Sequence, residues 1–283
     1  MELDRRDVLG HFYFPNIGLV TLRRTRSQDE WNFIFVGEHP IDKSYITSLD
    51  NAYVFPLYLF TTPDDSAGTL FAQSETTHKP NLSPAFIETI TQKIGLSFVS
   101  DGQGDGQSTF GPEDIFYYAY AVFHSPTYRT RYAEFLKIDF PRLPLTSDRE
   151  LFFTLAAKGQ ELVGLHLLKS PKVHEFITSY PIAGTNRVEK VNFVREVMSE
   201  PTTAEPVGKV WVNANQYFGG VPAAVWNFKI GGYQVCDKWL KDRIGRMLSG
   251  EDISHYQRVV VSLKETIRLM AEIDEVIPKW PIE

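Results

Sequence analysis

The stretch Trp226–Arg246 reads WNFKIGGYQVCDKWLKDRIGR. Its first residues alternate between apolar and polar side chains, which predicts a strand over 226–230. Gly231-Gly232 frees the backbone to turn, and Val235 and Trp239, four residues apart, predict a short helix with an apolar face. The far end of this helix gathers the cations Lys238, Lys241, Arg243 and Arg246. The stretch therefore predicts a strand, a glycine hinge and a helix with a basic edge that fits a polyanion.

The composition is that of a globular protein with a substantial core, because the chain has 283 residues of which 43% are hydrophobic. Cys236 is the single cysteine, so no intrachain disulfide can form. No apolar run approaches the roughly 20 residues that cross a bilayer, and the N-terminus lacks the apolar core of a signal peptide. We expect a soluble, cytoplasmic protein that does not associate with membranes.

Charge is distributed unevenly along the chain. The net charge of −6 argues against a protein that coats nucleic acid indiscriminately. Between Lys209 and Arg268, however, nine Lys or Arg residues stand against five Asp or Glu residues, a local charge of +4. This excess fits a module that contacts phosphates over a limited footprint, although charge alone does not distinguish it from an ordinary fluctuation.

The first third of the chain is predicted to be rich in β-structure. Aromatic and β-branched residues predict strands over 11–14, 18–22, 31–36 and 52–60. The charged residues 23–30 predict a hairpin-like loop, and the polar residues 62–82 predict an exposed loop. Ser83 and Pro84 then begin a helix as cap and first-turn residue.

The middle of the chain predicts helices. A glycine-rich loop at 101–108 precedes them, and we interpret it as a connection rather than a calcium or phosphate site. Helices are predicted from Pro112, over 127–135 and from a capping box that starts at Ser147. Prolines hold the intervening residues 138–145 extended.

The last third returns to strands and ends in a helix. Alternation predicts strands over 188–193 and 207–212, and Asp252 is predicted to cap the last helix. That helix carries a narrow apolar seam, which is typical of packing on the protein's own core: Ile253, Tyr256, Val260, Leu263, Ile267 and Met270.

This order of elements predicts an α+β fold with mixed, mainly antiparallel sheets, a central helical segment and a long C-terminal helix. We expect one module over 1–283. Its subregions are β-rich with a short helix (1–109), helical (110–170), and strands with the basic and C-terminal helices (171–283).

Motifs of catalysis and cofactor binding are missing from the sequence. There is no Gly-x-Ser-x-Gly, no Gly-x-Gly-x-x-Gly, no Walker-type Gly-Lys-Ser/Thr and no Asn/Asp-Pro-Pro-Tyr/Phe. The seven histidines are scattered, and Cys236 lies in an apolar setting that favours a packed thiol over a thiolate. Carboxylates cannot be paired from sequence, so a dyad of the kind that glycosidases use stays untested. We expect no catalysis, no metal and no cofactor in this chain.

Two long segments resemble a known family. Residues 110–144 (FGPEDIFYYAYAVFHSPTYRTRYAEFLKIDFPRLP) and 210–270, from VWVNANQYF through the opening stretch to ETIRLM, are similar to the C-terminal specificity region of type ISP restriction–modification enzymes and related adenine-N6 DNA methyltransferases. Residues 15–23 (PNIGLVTLR) and 53–58 (YVFPLY) fit the start of the same region. The resemblance covers essentially the whole chain.

This resemblance implies sequence-specific recognition of double-stranded DNA, in a phage-defence enzyme whose chemistry lies elsewhere. In that family one polypeptide carries a nuclease, a helicase-like ATPase and a methyltransferase before this region. The partners implied are therefore duplex DNA and those other domains, and S-adenosylmethionine, ATP and Mg²⁺ would belong to those domains. One alternative is a scaffold that docks a methyltransferase or helicase with little base contact. A free-standing enzyme with an unrecognised site is a third reading.

Two groups near the glycine hinge are the main candidates for DNA contact. Lys229, Tyr233 and Gln234 are candidates for contact at or near bases, because such side chains reach groove edges. The cations Lys238, Lys241, Arg243 and Arg246 suit phosphates. The alternative for this cluster is a solvated helix face whose cations favour the C-terminal dipole.

Two further sites carry candidate cations. Arg23, Arg24 and Arg26 form a second patch, with a solvated loop as its alternative. Arg129 and Arg131 lie at a helix break and are candidates for phosphate contact. His124, at the same break, is interpreted as a capping and packing residue.

Overall fold

The computed structural model describes residues 8–26, 30–47, 49–61, 77–196 and 205–282. It divides into two compact units, Met1–Val163 with Ile273–Glu283 (unit 1) and Gly164–Glu272 (unit 2). Small, mainly antiparallel sheets combine with helices and a long C-terminal helix, so the α+β prediction is confirmed. Whether the chain acts as one module, with the three predicted subregions, stays a prediction.

The described residues of unit 1 contain three small groups of strands. The sheet β2-β1-β3 is antiparallel, with Val20 opposite Phe35 on one side and opposite Val54 on the other. β4 pairs antiparallel with β5, and β6 pairs parallel with β7. The bounds are Gly18–Leu22 (β1), Ile34–Gly37 (β2), Ala52–Pro56 (β3), Tyr58–Thr61 (β4), Thr77–Pro80 (β5), Ser97–Phe98 (β6) and Thr109–Phe110 (β7).

The helices of unit 1 begin where their capping residues predict. Ser83 accepts a hydrogen bond from the Phe86 amide and starts the first helix, which confirms the predicted cap. A buried second helix starts at Pro112 with Glu113 and Asp114 in its first turn. The bounds are Pro84–Ile94 (α1), Pro112–His124 (α2), Pro126–Arg131 (α3), Ala133–Leu136 (α4) and Arg149–His166 (α5).

Helices α2 and α5 approach each other closely at a glycine. A Cβ atom added to Gly159 of α5 would lie 1.8 Å from the carbonyl oxygen of Tyr117 in α2. No heavy atom tolerates that distance, so the two backbones can approach to their present spacing only because residue 159 has no side chain.

A carboxylate from the end of the chain completes the helix break in unit 1. Asp274 accepts hydrogen bonds from the Ser125 hydroxyl, and its Oδ2 atom lies 3.0 Å from the Thr127 amide and 2.7 Å from the Thr127 hydroxyl. Ser125 itself caps α3 by accepting from the Tyr128 amide at 3.0 Å. The first amides of α3, which have no partner within the helix, therefore donate to the Ser125 hydroxyl and to the Asp274 carboxylate.

Unit 2 is built on the antiparallel sheet β10-β9-β8, against which apolar helix faces pack. Tyr256, Val260 and Leu263 of the last helix are buried in this core, which confirms the predicted seam. The bounds are Asn192–Arg195 (β8), Val207–Trp211 (β9), Tyr217–Pro222 (β10), Ala223–Asn227 (α6), Lys229–Ile230 (β11), Tyr233–Gln234 (β12), Val235–Lys241 (α7) and Gly250–Val276 (α8).

Several predicted elements in the first half differ in type or extent. Residues Gly10–Tyr13 form a 3-10 helix instead of a strand, and the strand predicted over 52–60 is divided into β3 and β4. The helix predicted over 127–135 is interrupted at Tyr132. In the predicted loop 62–82, residues 62–76 lie outside the described ranges, whereas Thr77–Pro80 form β5.

Two predicted caps are each displaced to a neighbouring polar residue. Asp148, rather than Ser147, accepts from the Leu151 amide at the start of α5. At the start of α8, Ser249 accepts from the Asp252 amide, and the Asp252 carboxylate accepts from the amide and hydroxyl of Ser249. This is a capping box in which Asp252 is the inner partner, and these hydrogen bonds lower the pKa of Asp252 below its ordinary value.

Candidate nucleic-acid interface

The glycine pair of the opening stretch forms a hairpin turn in unit 2. Lys229 pairs with Gln234 and Ile230 with Tyr233, while Gly231 and Gly232 have φ values of 59° and 83°. Positive φ at both central positions is what a two-residue type I′ turn requires. The strand predicted over 226–230 is therefore confirmed only for Lys229–Ile230, because Trp226 belongs to α6.

The predicted base-contacting residues occupy the hairpin in different ways. Lys229 is exposed, and Tyr233 exposes 45% of its surface. The Lys238 ammonium lies 5.5 Å from the centre of the Tyr233 ring, within cation–π range. Gln234 donates from Nε2 to the carbonyl oxygen of Trp226 at 3.1 Å, so its amide holds the hairpin to the end of α6.

The two lysines of α7 each form an ion pair within the helix. Lys238 Nζ lies 2.8 Å from Asp242, and Lys241 Nζ lies 2.7 Å from Asp237. Both lysine ends are exposed, although the Asp237 side chain is largely buried, and helical i,i+4 pairs contribute only about 0.3–0.5 kcal/mol each. Both ammonium groups can therefore exchange an aspartate for another anion at little cost, but they are not unpartnered.

Arg243 is held in a fixed position at the end of this helix. Its guanidinium carbon lies 3.5 Å from the centre of the Trp239 ring, and its Nη1 donates to the Trp239 carbonyl oxygen at 2.9 Å. Trp239 also stacks with His255, at a ring-centre distance of 5.7 Å. Burial, together with the charges of Arg258 and Arg243, lowers the pKa of His255. A stacked arginine loses less conformational entropy when it binds a phosphate.

The turn between α7 and α8 is held by a distant segment of unit 2. The Val188 amide donates to the Arg246 carbonyl oxygen at 2.9 Å, and the Gly245 amide donates to the Val188 carbonyl oxygen at 2.8 Å. Arg187 faces Met247 across this short antiparallel bridge. Main-chain hydrogen bonds therefore order the turn on its side facing residue 188, in addition to the packing of Leu248 in the core of unit 2.

The sequence interpretation missed three residues of this region, namely Arg187, Ile244 and Met247. Arg187 and Arg246 are exposed, and their guanidinium groups form no ion pair within the described ranges. Ile244 and Met247 are exposed apolar residues beside these cations. Nothing in the sequence brings Arg187 to this turn, whereas apolar side chains at 244 and 247 inside a basic run were a usable signal.

The second predicted patch lines a depression of about 470 Å³ in unit 1, formed by Arg23, Arg24, Arg26, Leu49, Asp50, Asn51, Tyr53 and Ile138. Arg23 Nε lies 3.5 Å from Asp139, and Arg26 Nε lies 3.7 Å from Asp50. Arg24 is exposed and forms no ion pair with a described residue. The structure therefore brings the three arginines to one surface, with two of them partly neutralised.

The arginines at the helix break of unit 1 have different environments. Arg131 is exposed, but Arg129 is buried and its Nε donates to the Phe123 carbonyl oxygen at 2.8 Å. Burial lowers the pKa of Arg129 to about 10. The predicted phosphate contact of Arg129 is therefore corrected to a packing role. His124 is also buried, with Nδ1 2.7 Å from the Tyr120 carbonyl oxygen, in agreement with its predicted structural role.

Cys236 is fully buried in the core of unit 2, and burial raises the pKa of its thiol to about 12. The thiolate is the reactive form. At pH 8 we expect iodoacetamide to label native protein negligibly over an hour and to label urea-unfolded protein completely, as measured by intact mass. Rapid labelling of the native chain would show that the thiol is accessible.

In the part of the chain that the structure describes, no three His, Cys, Asp or Glu side chains cluster so as to hold a metal ion. None of the described helices is both long enough and apolar enough to cross a membrane.

Comparison with known proteins identifies one family over nearly the full length. The family model described as "Type ISP C-terminal specificity domain" matches residues 1–272. None of the curated protein sequences compared with the chain matches it.

Solved structures share the fold. The ATP-dependent Type ISP restriction-modification enzyme LlaBIII bound to DNA superposes with a TM-score of 0.64 at 18% identity, over 95% of this chain and 16% of that chain. A nuclease-deletion mutant of the Type ISP enzyme LlaGI with a DNA substrate mimic gives 0.58 at 17% identity, over 95% and 18%. The DrdV–DNA complex gives 0.65 at 18% identity, over 94% and 25%. The chain thus spans a quarter or less of these solved chains.

Proposed function

Because the family model covers residues 1–272, the chain belongs to the Type ISP C-terminal specificity domain family, and we propose from this premise that it recognises a specific sequence in duplex DNA. The observation that carries the proposal is the cationic surface of unit 2. Between Lys229 and Arg246 five cations stand against two aspartates. Arg187, from elsewhere in the sequence, joins the same surface.

The parts of this surface have separate roles in the proposal. Lys229 and Tyr233, on the exposed hairpin, contact bases, because a two-stranded ribbon fits the major groove. Arg243, Arg246 and Arg187 contact phosphates, and Lys238 and Lys241 join them when their aspartates are displaced. Gln234 supports the hairpin, since its amide already bonds to Trp226.

Unit 1 contributes a second set of phosphate contacts in this proposal. Arg24 is the principal contact, because Arg23 and Arg26 already lie near Asp139 and Asp50. Arg131, exposed at the end of α3, is a further contact.

The chemistry of the whole enzyme would lie outside this chain. Since the chain matches only 16–25% of the solved chains, we assign nuclease, ATPase and adenine-N6 methyltransferase activities to further domains of one cytoplasmic phage-defence enzyme. S-adenosylmethionine, ATP and Mg²⁺ would be bound by those domains.

Duplex binding by the 283-residue chain at several salt concentrations tests this proposal. With all seven of the proposed phosphate contacts formed (Arg24, Arg131, Arg187, Lys238, Lys241, Arg243 and Arg246), we expect the logarithm of the association constant to fall against log salt with a slope of about −6. Selection from a random duplex library, followed by sequencing, should enrich one motif. A control duplex with this motif scrambled should bind at least about 1,000-fold more weakly.

The same binding measurements can contradict the proposal. A chain with neither a salt slope nor a preference among duplexes does not read DNA, and would be the docking scaffold that the sequence left open.

A further inference from the structure

The turn over residues 242–248 has an ordered main chain, although most of its residues are exposed. Every residue from Lys241 to Met247 except Arg243 is exposed. Even so, the turn makes five main-chain hydrogen bonds of 2.8–3.2 Å through the amides of Arg243, Ile244, Gly245, Arg246 and Leu248. Gly245 adopts a φ of 87°, which lets the chain reverse without strain. A rigid turn holds its side chains in place before any ligand arrives.

Two bulky apolar side chains stand on this turn. Ile244 exposes 53% of its surface and Met247 exposes 72%. The turn needs neither side chain for its own stability, since the buried apolar residue there is Leu248, at 4% exposure. Single exposed apolar residues are common on proteins, so exposure alone assigns no role to them.

The neighbouring charges restrict what could cover these side chains. Arg243, Arg246 and Arg187 flank them, the last through its bridge to Met247. Arg243 lies 3.9 Å from Asp252, and the other two form no ion pair within the described ranges. A ligand that complements this surface must present both apolar faces and negative charge over the short length of this turn. A base-pair step between two phosphodiester strands has both properties.

We propose that Ile244 and Met247 form an apolar wedge that enters between base pairs of duplex DNA and unstacks one step, while Arg187, Arg243 and Arg246 hold the adjacent phosphates. This inference rests on the proposed function and adds a means of specificity, since steps that unstack easily are favoured even without hydrogen bonds to their bases. Apolar wedges of this kind kink a duplex by roughly 20–90°.

A fluorescence assay with 2-aminopurine tests the wedge. The duplex is the one selected from the library, with the probe placed at successive positions in separate duplexes. Binding of the unaltered chain should raise emission severalfold at one step, because 2-aminopurine is quenched when stacked. Donor and acceptor dyes at the duplex ends should report shortening on binding.

Variants separate the wedge from the phosphate contacts. The double variant I244S/M247S should lose the emission rise and bind the selected duplex roughly ten- to hundredfold more weakly, with its salt slope unchanged. The variant R187Q/R246Q should keep the emission rise and lower the salt slope by about 2. V194S, which alters an exposed apolar residue of β8 at 46% exposure, is the matched control and should change neither. Circular dichroism and melting temperature confirm folding of each variant.

The outcomes distinguish the wedge from DNA binding as such. If I244S/M247S keeps both the emission rise and the affinity, the wedge is wrong although the proposed function stands. If I244S/M247S keeps its DNA affinity but binds the methyltransferase portion of the enzyme more weakly, the surface contacts a protein partner and the wedge is wrong. If the unaltered chain binds no duplex, both proposals fail together.

Discussion

Replacing Gly159 with alanine is expected to lower the free energy of unfolding by at least about 3 kcal/mol, the upper part of the range for an overpacked core. The added Cβ would lie 1.8 Å from the Tyr117 carbonyl oxygen and 2.6 Å from its carbonyl carbon. Both atoms belong to the main chain of α2, so no side-chain rotation relieves the contact and the helices must separate. Urea unfolding followed by circular dichroism measures the loss.

Gly164 supplies a control on the same helix. A Cβ there would be 3.7 Å from its nearest neighbour, the Ser170 side chain, which is an ordinary contact. Gly164→Ala should therefore be neutral or stabilise the chain by roughly 0.5–1 kcal/mol, since alanine favours helix over glycine. If both variants unfolded at the same urea concentration, the close approach of α2 and α5 would be wrong.

The double substitution R187Q/R246Q is expected to weaken duplex binding about a hundredfold at 0.15 M salt. Each lost guanidinium–phosphate contact removes about one released counterion and roughly 1.5 kcal/mol. Both side chains are exposed and form no ion pair within the described part of the chain, so they can meet phosphates without first giving up a partner. Fluorescence anisotropy with a labelled duplex measures the change.

The double substitution K238Q/K241Q is the matched comparison, because it removes the same charge from the same unit. Its effect should be about three- to fivefold smaller than that of the arginine pair, since each ammonium must leave Asp242 or Asp237 before it binds a phosphate. A larger loss for the lysine pair than for the arginine pair would place the phosphate contacts on the face of α7 instead of at the turn that follows it.

Local patterns were sufficient to predict much of the fold. The β-forming residues over 18–22 predicted β1 with its bounds, and Ser83 was identified as a cap because its hydroxyl and the following proline act within one helical turn. The spacing of Tyr256, Val260 and Leu263 likewise revealed the buried face of α8. These features depend on residues that are near in sequence.

Features that depend on how the chain packs and pairs in three dimensions could not be predicted in this way. Arg129 resembles any surface arginine until the chain brings the Phe123 carbonyl oxygen to its guanidinium and buries both. Gly231 and Gly232 are compatible with a hinge or a hairpin, and the choice is made by pairing of the flanking residues. Arg187 joins the candidate interface only because its main chain pairs with that of Met247.

The division of the chain also bears on how such proteins change their targets. Unit 2 is one continuous insertion, 164–272, because residues 273–283 return to unit 1, where Asp274 completes the start of α3. A single recombination cassette bounded within α5 and α8 would therefore transplant the hairpin, the basic helix and the following turn together. Under the proposed function, a relative could acquire a new recognition sequence in one genetic exchange. Unit 1 of the recipient protein would remain unchanged.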